Sequence, residues 1–171
     1  MKNVKDYEEL LAKIEKAKQT GVDLSVEEDL AIAIMNLISL EEHFFFTGGK
    51  TGKDEYYDML NEVREMRKTL MKRMIERTEG ESWCISKHLL ATTMRLFEVG
   101  TKLQNVGTAK KDEKMKTQAK ETFHMAFKTF NLFFAIRLKI INLPEAVNMM
   151  KVEKPMTFDE ILKGMTDCCK E

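Results

Sequence analysis

The chain has 171 residues, in which 28 Lys and Arg balance 28 Asp and Glu, with 43% hydrophobic residues, 2 Pro and 8 Gly. This is one domain's worth of material, long enough to bury a core without disulfide or metal staples and too apolar for a disordered tail. The even charge excludes a whole-protein electrostatic grip on nucleic acid or an anionic membrane, and so few chain breakers exclude a turn-rich sandwich or barrel.

Tyr7, Leu10, Leu11 and Ile14 recur at helical spacing and predict a first helix from about Val4 to Lys18, ended by Gly21. Ser25 and Glu28 have the spacing of a capping box, so a second helix is expected from Val26 to about Phe46. Thr47-Gly-Gly-Lys-Thr-Gly-Lys then reads as a glycine turn, because the spacing of a phosphate-binding loop is absent and a helix precedes it. Asp54 can cap a third helix with Tyr56, Leu60, Val63, Leu70 and Met74 along one side, ending near Thr78. Ser82 can cap a fourth helix through about Asn105, stopped by Gly107, and a fifth is expected from about Lys110 to Asn142, stopped by Leu143-Pro144. A short helix can follow Pro144, and Thr157 with Glu160 forms a second capping-box pattern that opens a final helix to about Cys168. No repeat or linker divides the chain. Residues 1–171 are therefore expected to form one all-α domain, an up-and-down helical bundle of about four core helices plus short terminal helices.

Advancing 100° per residue separates ordinary polar faces from charges that interrupt an apolar stripe. On the second helix Val26, Leu30, Ile34, Leu37 and Phe45 define the apolar face, with Glu41 in its middle. The stripe of the third helix contains Arg67, and that of the fifth, with Phe130, Phe134 and Ile141, contains Arg137. Buried charges pair or reach water, so Glu41 is expected to meet Arg67 or Arg137. Two guanidiniums around one carboxylate would leave positive charge suited to a small carboxylate or phosphate. These three residues are the candidate ligand-binding set, beside the plainer readings of a structural ion pair or of side chains reaching solvent.

The fourth helix is apolar over most of its circumference, which predicts that it is the central one. Its narrow polar stripe holds Cys84, Lys87, His88, Arg95, Glu98 and Lys102, where Arg95 with Glu98 and Glu98 with Lys102 have ion-pair spacing. Cys84 and His88 lie one turn apart, where an imidazole can activate a thiol or share a metal with it; with His124 they are the candidate metal ligands. The chain departs from the ferritin-like di-metal pattern, since Glu121-Thr-Phe-His124 is its single Glu-x-x-His pair and Glu62 and Glu65 point away from their apolar stripe. No cofactor is identified by any motif. No nucleophile elbow is present, and no His follows an Arg at the spacing used by helical ribonuclease toxins of the HEPN type. Lys110, Lys111, Lys114, Lys116 and Lys120 are diluted by acids and lack interleaved aromatics, which gives no strong nucleic-acid signal.

Leu30–Leu40 and Phe130–Ile141 are short and interrupted by polar residues, so no membrane span is expected. A charged N-terminus and the three cysteines Cys84, Cys168 and Cys169 fit a reducing cytoplasm. The adjacent pair Cys168-Cys169 diverges around a helix and makes a poor metal pocket. The 13 Met residues are read as core filler or as a partner groove. Tyr56, Tyr57, Trp83 and the Phe44-Phe-Phe46 run supply more large side chains near helix ends than a monomer must hide. The leading expectation is a non-catalytic bundle acting through protein association as a homodimer; the alternative is a small-anion or metal pocket among the central helices.

Overall fold

The structure, a computed structural model, describes residues 7–19, 24–75 and 80–149. They form an all-α helical bundle with no strand among them: α1 (Tyr7–Gln19), α2 (Ser25–Thr51), α3 (Glu55–Met74), α4 (Glu81–Lys110), α5 (Glu113–Arg137) and α6 (Leu143–Met149). The expected final helix and the Cys168-Cys169 pair lie outside the described residues.

Two antiparallel hairpins, α2/α3 and α4/α5, make the frame, joined mainly through α2 against α4; α1 and α6 lie on α5. In the α4/α5 hairpin Thr93 opposes Thr129 with their hydroxyls 2.9 Å apart, and the ring of Phe123 lies against Gly100. A Cβ on Gly100 would come within 2.7 Å of that ring, so the glycine lets the two helices approach closely. Gly48 accepts the Tyr57 ring of α3 in the same way, at 2.9 Å.

These contacts correct the expected helix ends. Gly48 and Gly49 continue α2 through Thr51, and Gly107 lies inside α4, because each hairpin requires close approach there rather than a break. The stops are elsewhere. Gly52 ends α2 in the left-handed region. Lys111 ends α4 at φ 55°, with the Asp112 N–H bonded to Gly107 O, and Lys139 ends α5 at φ 55°, with the Ile140 N–H bonded to Ala135 O. Both are Schellman turns made without glycine, so α5 ends at Arg137 instead of running to Asn142.

The expected caps change too. Leu24, not Ser25, occupies the N-cap position of α2, and the Glu28 carboxylate turns to Lys18 of α1 at 2.9 Å. α4 starts one residue before Ser82, after Gly80. Asp112 caps α5 by accepting from the Met115 N–H at 3.1 Å. Asn142 and Glu145 form a reciprocal capping box at the start of α6, at 3.0 and 2.8 Å.

The core gathers Leu10 and Ile14 of α1, Ala31, Ile34 and Met35 of α2, Met71 and Met74 of α3, Leu89 and Leu90 of α4, and Leu132–Ile136 of α5. Six consecutive residues, Asn131 to Ile136, are buried, so the C-terminal half of α5 is the centre of the molecule. α4, expected to be central, leaves Phe97, Val99 and Val106 exposed. A larger side chain at the α4/α5 contact has nowhere to go: Gly100→Leu is expected to destabilise the fold by about 1–3 kcal/mol in denaturant unfolding.

Candidate functional site

Helix α2 carries two adjacent pairs of glutamates, and consecutive residues on a helix diverge by 100°. Each of the four carboxylates therefore reaches a different neighbour. Glu27 accepts from Arg137 of α5 at 2.9 Å, and Glu28 pairs with Lys18 of α1. Glu41 holds Arg67 of α3 through both carboxylate oxygens, and Glu42 pairs with Arg95 of α4.

The Glu41–Arg67 pair is the buried one. Arg67 is 4% exposed; its Nε and Nη2 donate to the two Glu41 oxygens and its Nη1 reaches Met71 Sδ at 3.6 Å. Both charges are satisfied, which is what a pair in this position requires. The structure thus brings together two of the three candidate ligand residues and separates the third. Arg137 stands about 21 Å along α2 from Glu41, counted as the fourteen residues from Glu27 at 1.5 Å each. One guanidinium on one carboxylate leaves no surplus charge, so the positive cluster expected for an anion is not formed. Glu27 Oε2 and Arg137 Nε are each buried without a hydrogen-bond partner, although the pair as a whole is 28% exposed on both sides.

Among the described residues no three His, Cys, Asp or Glu side chains converge as a metal site. Cys84 and His88 are exposed on α4. His124 lies on α5, level with Glu98 in the Thr93–Thr129 register, so about 15 Å separates it from His88 along the helix pair. Arg95 turns to Glu42 instead of making the expected pair with Glu98.

What the four helices share is a set of stripes that outlast the core. On α2, Ile34 and Ile38 pack in the core, and the same stripe continues through Glu41 to Phe45, which is 56% exposed. On α3, Leu70 packs against the core, while Met66 and Met59 on its stripe are 56% and 47% exposed. On α4, Leu90 and Met94 give way to Phe97 at 49%, and on α5, Phe134 and Phe130 lead to half-buried Phe127 and Phe123. These spacings of three and four keep each residue on the face that the core uses. The main core cluster does not reach beyond Ile38 on α2, before Leu70 on α3, beyond Met94 on α4 or before Phe130 on α5, where Ala119 and Ala126 are buried along the α4/α5 hairpin. Beyond the level of Glu41–Arg67 these stripes are less covered, and every exposed large hydrophobic except Val26 and Ile32 lies on those halves of the helices, with Leu40, Val99, Val106 and Met125 on their outward faces.

Phe45, expected on the apolar face of α2 and within a run of side chains that a single chain need not hide, and Phe97 of α4 are thus on the core-facing stripes but about half exposed. Met71 and Met74 fill the core as expected of Met, whereas Met59 and Met66 do not. As one continuous helix, α2 is long and apolar enough by length and composition to cross a membrane, a property missed when only Leu30–Leu40 is considered. Only 17% of its most apolar window is buried.

Two groups titrate away from their ordinary range. Lys68, bonded to the Glu65 carboxylate on the exposed face of α3, lowers that group's pKa. Burial of Tyr7, which accepts from Asn131 Nδ2 at 3.2 Å and carries Lys128 over its ring, pushes the phenol well above its ordinary value near 10, the Asn131 bond opposing the shift.

Comparison with protein-family models, with curated proteins and with solved structures gives no match for this chain.

A phenol whose folded pKa is raised stabilises the fold fully below its unfolded pKa and loses that contribution as pH rises above it. Thermal melts from pH 8 to 11 are therefore expected to show stability falling above about pH 10, with a shallower fall in Tyr7→Phe.

Proposed function

We propose that this chain is a non-catalytic helical protein that acts through association with protein, using the open end where its hairpins part. One observation carries the reading: the apolar stripes of three helices continue past the core onto inward-facing Phe45, Met59, Met66 and Phe97, each about half exposed. Scattered apolar residues on a surface need no explanation, whereas a set facing one cleft marks an interaction site. The residues are Phe and Met, which supply large contact area and an adaptable fit. The apolar, little-buried α2 adds to the same surplus. The pocket alternative draws less support, because Glu41 and Arg67 neutralise each other and Arg137 has another partner.

A photo-crosslinking phenylalanine analogue tests the site without knowledge of the partner. Placed at Phe45 or Phe97 in cells, it is expected to give protein adducts; at Asp29 or Thr92, on outward faces, it is not. Equal labelling from both faces, or no adduct from the cleft positions, would contradict the reading.

A further inference from the structure

We infer that the occupant of the open end is a second copy of the same chain, with the α2/α3 hairpin of each copy seated against the α4/α5 hairpin of the other. The inference rests on the association reading above and adds the partner's identity. Three features of the molecule point to it.

The first is charge. The tip of α2/α3 presents Asp54, Glu55 and Asp58, all exposed, against Lys50 and Lys53, so its balance is acidic. The tip of α4/α5 presents exposed Lys110, Lys111 and Lys114 against Asp112 and Glu113, so its balance is basic. One tip is acidic and the other basic, as a self-complementary surface requires. Two copies can meet end to end about a two-fold axis in two ways. One sets like tips together, and like-charge contact opposes it. The other sets the acidic tip of each copy against the basic tip of its partner, and charge selects this one.

The second is area. A large aromatic side chain carries about 150–250 Å², so half-exposure of Phe45, Phe46 and Phe97, together with Met59 and Met66, leaves on the order of 500 Å² of apolar surface per copy. A standard interface buries about 800 Å² on each partner, of which roughly 65% is apolar at a homodimer contact, or about 500 Å². The exposed set matches that requirement.

The third is net charge. With 28 basic and 28 acidic residues the chain has no overall repulsion to overcome when it meets itself.

Purified full-length chain measured by light scattering and native mass spectrometry across a dilution series is expected to show the mass of two chains. Met66→Glu and Phe97→Glu place a charge in the cleft at half-exposed positions that the single chain tolerates, and each is expected to weaken the dimer about 30-fold or more. Glu55→Lys with Asp58→Lys in one preparation, and Lys110→Glu with Lys114→Glu in another, are each expected to weaken self-association; mixing the two restores a heterodimer. A wild-type chain that stays single at the highest soluble concentration overturns the inference. So does a dimer indifferent to the cleft substitutions, or a single chain that floats with lipid vesicles. The crosslinks from Phe45 and Phe97 separate the two failures: adducts with another protein leave the association reading standing, and their absence removes it.

Discussion

A guanidinium that is 4% exposed would cost several kcal/mol on its own, and in this molecule one carboxylate on the neighbouring helix answers it with both oxygens. Arg67 and Glu41 sit where the packed core ends, below the half of the bundle in which the hairpins part. Helix α2 applies the same device four times. Its two adjacent glutamate pairs diverge around the helix, so Glu27, Glu28, Glu41 and Glu42 reach α5, α1, α3 and α4 in turn. Three of these contacts are at least partly solvated and contribute little energy each. They fix which helix lies on which side of α2, while hydrophobic burial around Leu90, Leu132 and Phe133 supplies the stability.

That arrangement separates the bundle into a closed and an open half. Below the ion pair, four helices with α1 and α6 enclose a core of Ile, Leu, Met and Phe. Above it, each hairpin has close contacts of its own, Tyr57 on Gly48 and Phe123 on Gly100. The inner faces there stay apolar and about half exposed, and the proposed association rests on that.

Much of this was legible in the residues. Long helices follow from the lack of breakers, and Glu41 and Arg67 identify themselves as charges inside apolar stripes. Arg137 gives the same signal, yet its partner depends on which helix lies beside it, and nothing in the pattern of α2 separates Glu27 from an ordinary first-turn acid. Helix ends misled because Gly48, Gly49 and Gly107 serve close approach, while the actual stops at Lys111 and Lys139 use a backbone conformation without its usual residue. The open half could not be read because a stripe states which side of a helix is apolar and says nothing of how far its neighbours stay beside it. Phe45 and Phe97 are indistinguishable in pattern from Ile34 and Leu90.

A double-mutant cycle at Glu41 and Arg67, read by denaturant unfolding, tests the central claim most directly. Glu41→Ala and Arg67→Ala are each expected to cost about 3–5 kcal/mol, because each strands the other's charge, with a coupling of at least ~2 kcal/mol between them. Additive losses, with a coupling under ~0.5 kcal/mol, would contradict the account.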